Sequence, residues 1–274
     1  MDKVVIFGVY NFVSFHMCKS LLDNGIEVSG VSIGDMERTS YHDEKRLEVG
    51  RNANFSEYTL TNLVNEEVDQ ITKRTLILSL YDFYMLGKER TLLNVDEKII
   101  GYMNEFHSAP DIAVILPIQL LNPDNRLSVD GLTAKLKEQA GTYQEVYLPT
   151  IYGPWQPSTY LFQQAILSSI NKGKISGARR EWLGDALFVE DAVETMIGIL
   201  ETGKPGEFLL ESGKENYWQI CADYLKIEPS LAELNNEHLI SRDIVRIPVK
   251  KVTSLADSFS KQMYHTRLLF QNQE

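Results

Sequence analysis

Short apolar runs alternate along the chain with segments in which apolar residues recur at helical spacing. The first run, residues 4–7, has no polar interruption, which is typical of a parallel strand buried on both faces. A helix is predicted from Phe12 to Asp23, and Asn24-Gly25 predict its end because glycine readily adopts the left-handed conformation. Strands are also predicted at residues 28–33, 55–60, 75–80, 112–118 and 144–148, and helices at 89–106 and 130–140. This alternation predicts an α/β fold with a doubly wound parallel sheet.

The pattern changes after Tyr152-Gly153-Pro154, where the predicted elements become shorter. They are helices at residues 160–171 and 190–202 and strands at 186–189 and 207–210. We therefore predict one domain over residues 1–155. Residues 156–274 are predicted to form a small C-terminal α+β cap that returns to the core.

Composition and charge narrow the possible functions. Apolar residues make up 43% of the 274 residues, which is enough to bury a full core. The net charge of −11 argues against sequence-independent binding to nucleic acid, which needs clustered Lys and Arg. No apolar stretch is long enough to span a bilayer, so no membrane association is predicted. Cys18 and Cys221 do not have metal-ligand spacing, so we predict no metal site and interpret both as free thiols of a cytoplasmic protein.

Four segments carry a resemblance to a known family. They read FGVYNFVSFH (residues 7–16), LPTIYGPWQ (148–156), DALFVEDAVE (185–194) and TSLADSF (253–259). In order and at similar spacing, these resemble the GxxGFxGxH, RLPxxYGPxQ, DFVYVDDVVEA and TSLEEGL motifs of the extended short-chain dehydrogenase/reductase family. This is the NAD-dependent epimerase/dehydratase group, which acts largely on nucleotide sugars. The resemblance implies a Rossmann-type, doubly wound sheet with a dinucleotide-binding-like domain over residues 1–155 and the cap of residues 156–274 on the substrate side. Because many members dimerise, it also implies a homodimer.

The resemblance places an NAD or NADP site at the turn after the first strand. Glycines in this turn let the backbone approach the pyrophosphate, which lies at the amino end of the following helix. Only Gly8 is present, because Asn11 and Ser14 replace the second and third glycines. Asparagine tolerates positive φ, so we expect the turn to persist while the Asn11 side chain intrudes on the phosphate position. The cofactor contacts that the resemblance implies are Gly8, Asn11, Phe12, Val13, Ser32 and Tyr152.

The second strand ends without the carboxylate that holds the adenosine ribose in the family. Ser32 stands at that position, and Asp35 replaces it only if the loop folds back. Thr59 stands where the family has an adenine-side Asp. Without the carboxylate, the sequence does not discriminate NAD from NADP.

The family's catalytic Tyr and Lys lie four residues apart on one helix face, where the cation favours the phenolate. In the matching helix Lys135 is present, but Gly131 occupies the Tyr position. Ile118 or Gln119 stands where the family has a Ser or Thr. Lys135 is therefore the one catalytic residue that the resemblance implies, and the alternative is an ordinary surface lysine.

Three further features have a functional and a structural interpretation. The pair Arg179-Arg180 lies where the family often binds a nucleotide phosphate, and its alternative is a surface salt-bridge pair. Tyr84 and Lys88 have the catalytic spacing, but they follow an earlier strand, so we interpret Tyr84 as cover for the sheet edge. A carboxylate of Glu190-Asp191 is expected to cap a helix rather than to act in catalysis.

Three functions are compatible with these observations. The first is a divergent epimerase/dehydratase-like protein that lacks standard catalysis and acts as a binding or regulatory module for a nucleotide or nucleotide sugar. The second is an active NAD(P)-dependent epimerase, dehydratase or reductase with displaced catalytic residues. The third is a structural partner protein that uses the cap for contacts. The coincident loss of two glycines, the ribose carboxylate, the Tyr and its hydroxyl partner favours the first.

Overall fold

The computed structural model describes residues 1, 3–33, 41–63, 74–93, 96–105, 108–171, 174–176, 180–228 and 244–271. Within them, eight strands form a parallel central sheet, and two more form a small parallel pair. The strands are β1 (Lys3–Phe7), β2 (Glu27–Ser32), β3 (Phe55–Thr59), β4 (Arg74–Ser79), β5 (Asp111–Pro117), β6 (Thr142–Leu148), β7 (Thr150–Tyr152), β8 (Ala186–Phe188), β9 (Gly206–Glu211) and β10 (Val245–Pro248).

The central sheet has the order β10-β9-β6-β5-β4-β1-β2-β3. The chain therefore runs from β1 outward to β2 and β3, and then returns to the other side of β1 at β4. This reversal is a topological switch point, and it opens a crevice at the carboxyl ends of β1 and β4. The prediction of a doubly wound α/β fold is confirmed.

The helices cover both faces of the sheet. They are α1 (Phe12–Asp23), α2 (His42–Val49), α3 (Leu60–Leu63), α4 (Tyr81–Met85), α5 (Glu89–Leu93), α6 (Asp96–Met103), α7 (Pro123–Arg126), α8 (Asp130–Gln139), α9 (Leu161–Asn171), α10 (Val189–Glu201), α11 (Tyr217–Tyr224) and α12 (Leu255–Gln271).

Strand β1 shows why its sequence is continuously apolar. Val4 and Ile6 pack in the core cluster that includes α1 and α10, whereas Val5 and Phe7 pack on the opposite face with residues of α6 and α8. All four are at most 1% exposed. Successive side chains point to opposite faces of a strand, so a sheet covered on both faces needs apolar residues at every position.

The predicted helix at 12–23 is confirmed at both ends. Asn24 is the C-cap, and its side chain donates to the Ser20 carbonyl at 2.8 Å. Gly25 follows with a φ of 77°, the left-handed conformation that its position requires. Within the helix predicted at 89–106, the structure describes α5 and α6, and residues 94, 95 and 106 lie outside the described residues, so the continuity of this helix stays a prediction. Its last described turn ends at Met103.

The part of the chain after residue 155 contributes to two regions of the molecule. An aromatic cluster packs α9, α11 and α12 around Tyr152, Phe162, Trp218 and Phe259. Strands β9 and β10 extend the central sheet beyond β6, and α10 packs against α1. The strand predicted at 207–210 thus belongs to the central sheet rather than to a cap, and the domain boundary near residue 155 stays a prediction. In the described ranges, no helix is both long and apolar enough to cross a membrane.

Candidate functional site

A cleft of about 280 Å³ lies at the switch point between β1 and β4, and we call it the α1 cleft. Its walls come from the turn after β1, the start of α2, the segment after β4 and the loop after β7. This is where ligands of open α/β sheets bind. The lining residues are Tyr10, Asn11, Phe12, Tyr41, Lys45, Asp82, Leu86, Lys88, Trp155, Gln156, Pro157, Ser158 and Thr159.

The turn into the cleft depends on Gly8 rather than on Asn11. Gly8 has a φ of 70°, and its N–H donates to the Val31 carbonyl at 2.8 Å. Asn11 has a φ of −65° and is the N-cap of α1, so the expectation that positive φ matters at Asn11 is wrong. The Asn11 side chain is 7% exposed and makes no capping bond, and its Nδ2 has no hydrogen-bond partner among the described residues.

A carboxylate from another part of the chain lies at the amino end of α1. Val13 N–H donates to Asp82 Oδ2 at 3.0 Å, and the Tyr160 hydroxyl donates to Asp82 Oδ1 at 3.1 Å. Burial raises the pKa of Asp82 to about 6, although the bond from Val13 and the charge of Lys45 partly oppose that shift. Free N–H groups at a helix start favour an anion, and here the protein supplies the anion itself.

Lysine and aromatic side chains form much of the remaining wall. Lys45 is 5% exposed and donates to the Tyr10 carbonyl at 2.7 Å. Its ammonium lies 5.7 Å from the centre of the Trp155 ring and 5.4 Å from that of Phe15, at cation–π distance. Lys88 is exposed at the rim of the cleft.

Trp155 has a φ of 65°, which is costly for a large side chain. Two histidines hold its loop in place. His16 Nε2 donates to the Pro154 carbonyl at 2.8 Å, and His265 Nδ1 accepts from Trp155 N–H at 3.4 Å. Burial lowers the pKa of His16 to about 3 and that of His265 to about 4, so both are neutral near pH 7.

A second buried carboxylate lies at the start of α9. Glu181 Oε1 accepts from Leu161 N–H at 2.5 Å, and burial raises the pKa of Glu181 to about 7. Two of the helices nearest the α1 cleft, α1 and α9, therefore begin at carboxylates that the chain itself provides.

The structure separates the predicted cofactor residues into two groups. Asn11 and Phe12 line the α1 cleft, and Gly8 and Val13 shape its floor through the turn and the Asp82 bond. Ser32 is opposite Thr59 in the register of β2 and β3, which brings the two substituted positions together outside the cleft lining. Asp35 lies outside the described residues.

Tyr152, one of the predicted cofactor contacts, does not line the α1 cleft. Its side chain is fully buried, its hydroxyl lies 2.9 Å from Ser258 Oγ, and its ring stacks on Phe259 with centroids 4.6 Å apart. The residue is at the carboxyl end of β7, but its ring points into the aromatic cluster and not into the α1 cleft. Its observed contacts are those of core packing.

Lys135 also lies away from the α1 cleft. Its ammonium is 3.1 Å from Asp96 Oδ2, and its side chain is half exposed. A Cβ at Gly131 would meet no atom within 4 Å, so the helix surface there is open rather than crowded. These contacts are those of a surface lysine, and a catalytic role for Lys135 stays a prediction.

Arg180 is engaged by the segment after β4. Its Nη1 donates to the Tyr84 carbonyl at 2.6 Å, it forms an ion pair with Glu89, and its guanidinium lies 4.9 Å from the Tyr84 ring centroid. Arg179 lies outside the described residues. Tyr84 does not line the α1 cleft, whereas Lys88, four residues later, does.

The expectation that Glu190 or Asp191 caps its helix is wrong. The N-cap of α10 is Phe188, and both residues lie in the first turn. Asp191 accepts hydrogen bonds from the Thr253 N–H and hydroxyl, both at 2.7 Å, and Glu190 pairs with Lys261 at 2.6 Å. Both carboxylates attach the segment around α12 to α10.

A second cleft of about 300 Å³ opens beside the carboxyl ends of β5 and β9. Asp185 lies in its wall, where its carboxylate accepts from Ala186 N–H at 2.8 Å and Ser212 N–H at 2.7 Å. Across the described ranges, no group of His, Cys, Asp and Glu has the arrangement of a metal site. Other lining residues include Ile118, Trp182, Lys214 and Asn216.

Sequence reasoning missed Asp82, Lys45 and Glu181. Asp82 carries one usable signal, since a polar residue soon after a buried parallel strand falls at the ligand-binding edge of the sheet. For Lys45 and Glu181, no motif or spacing in the sequence indicates a contact with the α1 cleft or with α9.

Comparison with known proteins places the fold. No protein-family model matches the chain. The protein CapI of Staphylococcus aureus is 26% identical over 233 residues, which cover 71% of this chain and 68% of CapI.

Solved structures match almost the whole chain. UDP-glucuronic acid 4-epimerase from Bacillus cereus, in complex with UDP-glucuronic acid and NAD, matches with a TM-score of 0.70 at 13% identity, over 97% of this chain and 99% of that one. The Bordetella bronchiseptica enzyme WbmH in complex with NAD⁺ gives 0.69 at 14%, over 97% and 99%. dTDP-glucose 4,6-dehydratase from Bacillus anthracis, in complex with NAD, gives 0.64 at 10%, over 100% and 98%. The chain therefore has the fold of NAD-dependent epimerases and dehydratases, as the four sequence segments predicted.

Proposed function

We propose that this protein is a divergent, non-catalytic member of the extended short-chain dehydrogenase/reductase family. It acts as a binding or regulatory module for a nucleotide or nucleotide sugar and does not transfer hydride. The observation that carries the proposal is the bond between Val13 N–H and the Asp82 carboxylate at the start of α1. A pyrophosphate would have to displace a carboxylate that already bonds this helix end.

The catalytic positions support the same proposal. Gly131 provides no phenol, and Lys135 is paired with Asp96 on the outer surface. The displaced pair of Tyr84 and Lys88 offers no substitute, because the Tyr84 ring packs on Arg180. Burial raises the pKa of core tyrosines such as Tyr81 well above the usual value. Their hydroxyls therefore ionise less readily to the phenolate that would act as a base.

Ligand binding without chemistry is supported by the two clefts. Both lie at the carboxyl edge of the sheet, and the structural relatives named above were solved with NAD and, for the Bacillus cereus epimerase, with UDP-glucuronic acid. A nucleotide or nucleotide sugar is therefore the proposed ligand class. NAD or NADP binding is the prediction that the alternative, an active enzyme, requires.

The test is a thermal-shift and calorimetric panel of NAD⁺, NADH, NADP⁺, NADPH and nucleotide sugars on the wild-type protein. Binding to the native state raises the melting temperature by mass action. We expect no shift with any dinucleotide up to millimolar concentration, and no change of nicotinamide absorbance when nucleotide sugars are added. Sub-millimolar binding of a dinucleotide, or turnover of a nucleotide sugar, would overturn the proposal in favour of the active enzyme.

We also propose a cytoplasmic homodimer. The family resemblance supports the dimer. Two buried, unpaired cysteines, Cys18 and Cys221, support a reducing compartment. Burial raises the pKa of each thiol to about 12, so neither is a reactive thiolate. Light scattering after size exclusion tests the dimer, and a monomer mass at micromolar concentration would contradict it.

A further inference from the structure

The α1 cleft retains a binding surface although Asp82 occupies the start of α1. Its volume of about 280 Å³ is near the lower end of the range of roughly 300–1,000 Å³ for small-molecule sites. One nucleotide with a single phosphate suits this space better than two linked nucleotides. Four aromatic residues line the cleft, and of these Tyr41 and Trp155 are partly exposed and offer a stacking surface, whereas Tyr10 and Phe12 are buried.

One group in the cleft lacks an acceptor. Asn11 is 7% exposed, and its Nδ2 atom is buried without a hydrogen-bond partner among the described residues. A buried donor without an acceptor loses its hydration and gains nothing in return, so an acceptor atom of a ligand or an ordered water at this position would be stabilising. Asn11 therefore points to a ligand with an acceptor atom.

The charges of the cleft favour an anion. Lys45 and Lys88 contribute two ammonium groups, and Asp82 contributes one carboxylate that already accepts from Val13 and Tyr160. Lysine binds phosphate as a point charge and does not need the geometry of a helix end. The groups that attract an anion in this cleft are thus lysine side chains, not the backbone N–H groups at the start of α1.

We infer that the α1 cleft binds a nucleoside monophosphate, with its base against the Trp155 side of the cleft, Asn11 donating to it, and Lys45 and Lys88 facing its phosphate. This rests on the proposed function, because a dinucleotide in the same cleft would exclude it. The α1 cleft would then hold one of the two nucleotides of the dinucleotide that doubly wound sheets often bind. The strained φ of Trp155, held by His16 and His265, fixes the indole in the wall before a ligand arrives.

The experiment is calorimetric titration of the full chain with AMP, GMP, CMP and UMP, with the four matching nucleosides, and with NAD⁺. Quenching of Trp155 fluorescence, with Trp155→Phe as reference, reports whether the base reaches the indole. We expect at least one monophosphate to bind and to quench, and its nucleoside to bind at least about tenfold more weakly, the equivalent of one charge-assisted hydrogen bond.

Variants locate the site. Asn11→Ala and Lys88→Met should each weaken the monophosphate by about tenfold. Lys88 is exposed, so its replacement does not threaten folding, and Lys98→Met on the surface of α6 is the matched control. Equal affinity in wild type, Asn11→Ala and Lys88→Met would place the ligand elsewhere and overturn the inference, as would equal affinity for nucleoside and monophosphate.

The panel separates the two proposals. No binding of any monophosphate, together with no binding of NAD⁺, overturns this inference and leaves the non-catalytic function standing. Binding of NAD⁺ in the α1 cleft overturns both. Binding of a monophosphate without NAD⁺ supports both.

Discussion

Replacing Asp82 with asparagine should change how stability depends on pH. Asp82 is 1% exposed, and burial raises its pKa from 3.8 to about 6. The folded protein therefore holds this proton more tightly than the unfolded chain. The stability that results is fully present below pH 3.8 and is lost as the pH rises through about 6.

The magnitude follows from the two pKa values. At 1.36 kcal/mol per pH unit, the full effect is about 3 kcal/mol, of which about 2 kcal/mol falls between pH 4 and pH 8. The asparagine side chain of the variant cannot ionise, while its carbonyl still accepts from Val13 N–H. The stability of Asp82→Asn relative to wild type should therefore rise by about 2 kcal/mol between pH 4 and pH 8.

Urea unfolding followed by tryptophan fluorescence measures this difference at each pH. Every other titrating group is common to both proteins and cancels from the comparison. The control is Asp23→Asn, the same substitution at an exposed position at the end of α1. A constant difference for Asp82→Asn, within about 0.5 kcal/mol, would mean that Asp82 ionises as in water. The amino end of α1 would then not contain a buried carboxylate, and the central observation behind the proposed function would fail.

Three further predictions concern other charged groups. Burial lowers the pKa of His16 to about 3, so the stability that the neutral His16 contributes is lost as the pH falls below 6.5. The urea midpoint of His16→Gln should therefore fall less steeply in acid than that of wild type. Arg126→Ala should destabilise by about 3–5 kcal/mol in urea unfolding, because the buried Glu145 carboxylate loses a two-bond partner at 2.6 and 2.9 Å, and adding Glu145→Gln should restore part of that loss. Lys135→Ala should change stability by less than about 0.5 kcal/mol, since its ion pair with Asp96 is solvent-exposed, and a thermal melt showing a large loss would contradict a surface role.

The sequence predicted the central strands because burial on both faces leaves a strong signal. Residues 4–7 and 112–116 are apolar throughout, and each lies between helices on both faces of the sheet. Strand β10 was not predicted, since its four residues are largely exposed and carry Arg246. An edge strand needs no apolar pattern, and it is identified only by its pairing with β9.

The sequence indicates where the candidate site lies but not all the residues that form it. The turn at Gly8 and the start of α1 do lie at the α1 cleft, because a tight turn after a buried strand has few alternatives. Asp82 reaches Val13 across 69 residues of sequence, and Lys45 reaches Tyr10 across 35. Such contacts follow from sheet order and loop conformation, which the hydrophobic pattern does not encode.

A buried carboxylate lies at the start of each of two helices beside the α1 cleft. These carboxylates affect which anionic ligands the cleft can bind. At α1 the acid is Asp82, and at α9 it is Glu181, each bonded to a backbone N–H of the first turn. A helix start attracts any anion through fixed dipoles, whereas lysine side chains attract an anion only where they can reach it. In the inferred binding mode, Lys45 and Lys88 attract the phosphate because both helix starts already bond a carboxylate. In that mode, the carboxylates, rather than the absent glycines, are the groups that exclude a second phosphate.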